Sequence, residues 1–175
     1  YKEWVTGLMF HPAFDFAIIP DKIDGDEMAN TRLIHRWLDD GLGQWGAPVW
    51  HMHESLSMLQ QLCGAWRTVC IGSSGKWARP GTKSWWERMH EAMTAACGKD
   101  GRPMCKLHGL RMMDPRIFTK LPLSSADSTN AAVNQGSLER FGMYKPATAS
   151  QRAAVIADRI EMHSSSSIYG STTED

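Results

Sequence analysis

Five short apolar runs, each closed by a polar cluster, punctuate the chain: residues 14–19, 48–51, 68–71, 104–107 and 121–125. Their apolar residues are continuous rather than alternating, which suits strands of a parallel sheet buried on both faces. Helical patterns separate them. Met28, Leu33, Ile34, Trp37 and Leu38 share one side of a helix over 27–38. Ser55 caps a helix with the stripe Leu56, Leu59 and Leu62, and Thr82 caps another that carries Trp85, Trp86, Met89 and Met93. Asp114 followed by Pro115 is a helix start, because proline fits the first helical position. Residues 4–9 and 148–162 also read as helical.

Strand and helix alternation of this kind predicts an α/β fold, in which function gathers beyond the carboxyl ends of the strands. A closed (β/α)8 TIM barrel takes about 250 residues. The 175 residues here hold five βα units. Residues 1–163 are therefore expected to be the carboxyl-terminal five units of such a barrel, with the first three strands missing upstream of Tyr1. An open five-stranded sheet is the alternative. The serine-rich segment 164–175 is expected to be a disordered tail.

Formal charge balances, with 19 basic and 19 acidic side chains, which argues against a strongly basic, non-specific nucleic-acid binder. A local rim from Lys76, Arg79, Lys106 and Arg111 stays open. The eight tryptophans, Met112 and Met113 read as packing residues. Cys63, Cys70, Cys97 and Cys105 form no CxxC pair and no zinc-knuckle spacing, so they read as reduced and mostly buried thiols of a cytoplasmic protein. No signal peptide or long apolar segment stands out, and no membrane partner is expected.

The chemistry lies in the polar clusters at the predicted strand ends. Asp127, with Ser128 and Thr129, is either a helix cap or a carboxylate nucleophile able to attack an electrophilic sugar carbon. Asp21 is either a loop carboxylate or an acceptor for the ring N–H and exocyclic amine of a purine-like base, while Asp24 and Asp26 read as turn and cap residues. Gly72-Ser73-Ser74-Gly75 is a tight turn or a cradle of backbone donors, and has neither Walker nor dinucleotide-fold spacing. His51 suits a ligand hydrogen bond, with His53 and Glu54 supporting the following helix, and His108-Gly109 suits a pocket floor. His11, His35, His90 and His163 read as surface positions.

Taken in order, "FDFAIIPDKIDGDE", "PVWHMHES", "CIGSSGKW", "CKLHGL" and "LPLSSADSTN" resemble segments of the queuine and archaeosine tRNA-ribosyltransferase superfamily. The likeness is to its phage and bacterial relatives, including the DpdA-type enzymes that place 7-deazaguanines in DNA, and it covers roughly residues 14–134. The resemblance implies a TIM barrel that exchanges guanine for a 7-deazaguanine such as preQ0 in nucleic acid, through a covalent aspartyl–sugar bond and without a cofactor. It implies that Asp127 is the nucleophile and Asp21 the second catalytic, base-contacting carboxylate. It places His51, Gly72, Ser73, Ser74, His108 and Gly109 along the substrate. His51 stands where the family carries a base-recognising glutamine, and the family's early "DSGGFQ"-like acidic segment has no counterpart here. No cysteine follows Cys105, so the zinc site of the tRNA enzymes is not found, which favours DNA over tRNA as the polymer. A homo-oligomer is compatible with the sequence.

Two other readings stand beside this one. His51, His53, His108 and Asp127 have the residue types of a metal-dependent hydrolase, which would need their imidazoles to converge. The third reading is a non-catalytic nucleotide-binding or structural phage protein. Base exchange accounts for all five clusters, whereas the hydrolase leaves Asp21 and the glycine turn unused.

Overall fold

Residues 1–128 and 146–170 are described by the computed structural model of the chain. In chain order they form α1 (Lys2–Leu8), β1 (Ala17–Ile18), α2 (Glu27–Asp39), β2 (Gly46–Ala47), β3 (Val49–His51), α3 (Leu56–Ala65), β4 (Thr68–Gly72), α4 (Lys83–Ala96), β5 (Lys106–Gly109), α5 (Pro115–Phe118) and β6 (Ser125–Ala126), with a further helix at Ala149–Glu161. The fold is α/β, and every strand pair is parallel. A closed eight-stranded barrel is not what the described residues form: six strands lie in two small sheets, β1-β2 and β3-β4-β5-β6. Pro48 joins the sheets in the chain, lacking a donor of its own but accepting from the Cys70 N–H at 2.8 Å.

Strand order follows chain order, and the helices gather on one face. Trp50, Val69, Ile71 and Leu107 from the strands share one buried cluster with Trp37, Leu59, Leu62, Trp85, Met89 and Phe118 from the helices. The opposite face carries a smaller cluster, Ala47, Val49 and Cys70, packed by Phe16, Ile18 and Leu110. That face is curled. In a flat sheet, β1 and β5 would lie three strand spacings apart, about 14 Å. Instead the Phe16 ring meets the His108 ring edge-on, with centroids 5.3 Å apart.

The caps at Ser55, Thr82, Asp114 and Thr148 each accept a backbone N–H of their helix's first turn. Two strands shift from their expected places. The strand expected at 104–107 begins at Lys106, because Pro103 pairs with Cys97 and the Met104 N–H bonds the Ala96 carbonyl, tying this segment to the end of α4. The run 121–125 pairs only from Ser125. Leu121 and Leu123 are core residues in a turn, and the Ser124 N–H starts the ladder on the Leu107 carbonyl. Part of the tail, 164–170, is also docked: the Tyr169 N–H bonds the Gly101 carbonyl at 2.8 Å and its hydroxyl meets His90 Nδ1 at 3.0 Å. Residues 171–175 lie outside the described residues. Among the described residues, no helix is long and apolar enough to cross a membrane.

Gly46 permits the close approach of α2 to the sheet. A Cβ there would lie 2.4 Å from Trp37 Nε1, whose N–H donates to the Leu42 carbonyl at 2.7 Å. Gly46→Ala is expected to destabilise the fold by about 1–3 kcal/mol through overpacking. Gly64→Ala, on α3 with open space around its Cβ, should instead stabilise by about 0.5–1 kcal/mol. Urea denaturation of both variants checks the pair, and equal effects would contradict this account of the contact.

Candidate functional site

Parallel pairing brings the carboxyl ends of the strands to one edge. His51 is the last residue of β3 and pairs with Gly72, the last of β4. Cys70 pairs with His108, and His108 with Ser125. Asp21 follows β1 by three residues, and Asp127 follows β6 directly.

Asp21 and His51 form one pair. Asp21 Oδ2 accepts from His51 Nε2 at 2.7 Å, with His51 3% and Asp21 25% exposed. Because a carboxylate only accepts, the proton is assigned to Nε2, leaving Nδ1 as an acceptor. Nδ1 is buried without a hydrogen-bond partner, and a Cβ on Gly72 would stand 3.0 Å from it. Glycine at this strand end is therefore what admits the His51 ring. His51 is enclosed and committed to Asp21, so it buttresses that carboxylate rather than presenting its ring to the open edge.

Asp127 and His108 form the second pair. Asp127 Oδ1 accepts the Arg111 N–H at 2.6 Å, and Arg111 holds a left-handed conformation, φ 60°, that aims this donor. Asp127 Oδ2 lies 3.6 Å from His108 Nε2, and the Asp127 side chain is 50% exposed. His108 Nδ1 meets Ser125 Oγ at 2.8 Å. Burial lowers the His108 pKa from its ordinary value, and the neighbouring Asp127 carboxylate offsets part of that shift. The helix-cap alternative for Asp127 involves Thr129, which lies outside the described residues.

Cys70 stands between the two pairs. Its thiol is pushed up to about 12, first by burial and then by the carboxylates of both Asp127 and Asp21. By strand register, Cys70 on β4 lies between β3, whose His51 holds Asp21, and β5, whose His108 neighbours Asp127. The open depression that Asp21 itself lines runs along 21–26 with Ala29 and Arg32, and Asp127 is not part of its wall.

The glycine turn is internally engaged. Ser73 Oγ accepts from Trp85 Nε1 at 2.9 Å, and buried Ser74 bonds His53 Nδ1 at 2.7 Å. His53 Nε2 in turn meets the Gly25 carbonyl at 2.8 Å. With both His53 nitrogens held by protein, the four-residue hydrolase set is not assembled. Among the described residues, no three His, Cys, Asp or Glu side chains gather as a metal-holding group. The expected basic rim is divided, since Lys106 sits at the opposite end of β5 against Asp15, while Arg111 stands beside Asp127.

Glu54 and Asn30 escaped the reading of the sequence as site residues. Both are buried, and their side chains bond at 2.9 Å. The available signal was Asn30 lying on the same helical stripe as Ile34 and Trp37.

No protein-family model, curated protein or solved structure matches this chain.

The depressed His108 pKa has a pH signature. Below its ordinary value of 6.5 the unfolded chain takes up a proton that the folded chain resists, so stability falls as pH drops from there toward the folded value. Above that window both states are neutral at this position and it contributes no slope. His108→Gln is expected to reduce the stability lost between about pH 7.5 and about pH 5.5 in urea melts. Equal losses in both proteins would contradict this.

Proposed function

We propose that this chain works as a base-exchange transglycosylase, a pentosyltransferase that replaces guanine in a nucleic acid by a 7-deazaguanine, with DNA favoured over tRNA. The observation that carries the reading is the pair of carboxylates at one strand edge, each steadied on one oxygen by a protein donor. Arg111 holds Asp127 Oδ1, and His51 holds Asp21 Oδ2. Half-exposed Asp127 then has Oδ2 for attack on the sugar C1′, and Asp21 has Oδ1 for the N–H edge of a base.

The step is a double displacement. Asp127 Oδ2 bonds C1′ as the C1′–N9 bond to guanine breaks, and the departing guanine takes a proton from solvent water at its ring nitrogen. The incoming 7-deazaguanine gives its ring N–H proton to solvent water, bonds C1′ through that nitrogen as the Asp127 Oδ2–C1′ bond breaks, and so releases the carboxylate. Asp21 accepts hydrogen bonds from whichever base is free. Gly72 and buried His108 share the face between, whereas Gly109 turns toward Met112 and Leu123 of the helix-side core. The wider architecture we propose is an arc of a (β/α)8 barrel. Chain-order strands, helices on one face and the curl that joins Phe16 to His108 support it. A cytoplasmic setting with access to nucleic acid follows from this reading.

Intact-mass analysis under denaturing conditions tests it, after incubation with guanine-containing DNA or tRNA. The expected result is an adduct of protein plus polymer minus guanine, on one polymer. Asp127→Ala should abolish the adduct and lower exchange of preQ0 by a factor on the order of 10⁴. A folded wild-type protein that forms no adduct with either polymer, or an adduct that survives Asp127→Ala, would overturn the proposal.

A further inference from the structure

We infer that buried Glu54 and Asn30 are positioning residues that aim Asp21, acting together with His51 through a closed circuit of hydrogen bonds. The inference rests on reading Asp21 as the base-contacting carboxylate.

Asp21 has little regular structure to hold it. β1 is two residues long, and the last ladder bond before the turn is from the Ile19 N–H to the Ala47 carbonyl. Two clamps replace the ladder. One is the His51 ring on Asp21 Oδ2. The other is the Asn30 amide, which takes both backbone groups of the next residue: its Oδ1 accepts the Lys22 N–H at 2.8 Å and its Nδ2 donates to the Lys22 carbonyl at 3.3 Å.

Glu54 joins the clamps. Oε1 accepts from Asn30 Nδ2 at 2.9 Å, and Oε2 accepts the His51 backbone N–H at 2.8 Å. The path Asp21–His51–Glu54–Asn30–Lys22 therefore returns to its start. Glu54 is 2% and Asn30 3% exposed, so the circuit is shielded from competing water. Arg88 braces the same turn, donating to the Met52 carbonyl at 2.8 Å and the Glu54 carbonyl at 2.6 Å, with its guanidinium over Trp50.

A carboxylate and an amide are poor choices for filling buried volume, because apolar residues of similar size stabilise a core at least as well. What the polar pair supplies is direction. Each acceptor matches one donor on the elements to be aligned, β3 and the loop after β1. Glu54→Gln keeps the shape but turns an N–H₂ group toward one of two donors, so one link of the circuit must open.

The test uses the full chain with Glu54→Gln and Asn30→Ala, each checked for folding by circular dichroism and a cooperative melt. The first readout is exchange kinetics with preQ0 as free base. Each variant is expected to raise KM about tenfold while kcat stays within about threefold. The second readout is ¹⁵N-histidine NMR. The His51 Nε2–H signal, slowed in exchange by Asp21 in the wild type, should shift or disappear in both variants. Unchanged KM with an unchanged His51 signal overturns the inference. So does loss of kcat at constant KM, which marks a smaller folded fraction, and so does failure of both variants to fold. If the wild type exchanges no base, the transglycosylase reading falls alone: NMR still decides whether the circuit holds Asp21.

Discussion

Parallel pairing of strands in chain order is the constraint on which the rest of the molecule depends. A parallel strand must be re-entered from the same end, so each connection crosses the sheet and each strand finishes at the same edge. With Val49 against Cys70, Cys70 against His108 and His108 against Ser125, one row of side chains runs across the face away from the helices. The residues that follow this row, His51, Gly72 and Asp127, form the rim above it. Helices packed against Trp50, Ile71 and Leu107 leave that face to a small apolar cluster and to the imidazole of His108.

The rim sorts its groups by burial. His51 and His108 are sunk in the sheet while their carboxylate partners stand partly in solvent, Asp21 at 25% and Asp127 at 50% exposure. A part-exposed carboxylate stays open to a ligand, and a buried imidazole gives it a fixed neighbour. Cys70, beneath both, is held as a neutral thiol by its surroundings. The arrangement sets two oriented carboxylates at one edge, which the proposed exchange would use to hold a base with one and a sugar with the other.

Much of this was legible in the residues, and the parts that were not have physical causes. The helices were readable because their signals are local: Ser55, Thr82 and Asp114 cap as their side chains dictate. The short strands were less so. Leu121 and Leu123 look like strand residues because a buried turn and a buried strand demand the same apolar side chains. The positions of Asp21, His51, His108 and Asp127 at strand ends followed from the order of the clusters, whereas their pairings did not. His53, two residues from His51, resembles a ligand partner in sequence, yet its nitrogens are taken by Ser74 and Gly25, from segments remote in the chain. The buried Glu54–Asn30 bond spans 24 residues and has no local signature beyond a polar residue on an apolar stripe.

The central claim is that Asp21 and Asp127 serve one ligand at the carboxyl edge of the strands. A crystal structure of the protein soaked with a 7-deazaguanine base tests it most directly. The account predicts the N–H edge of the base on Asp21 Oδ1, with its ring nitrogen turned toward Asp127 over Cys70. Base bound elsewhere, for example in the depression between Trp86, Lys120 and Tyr169, with the strand edge empty, would contradict it.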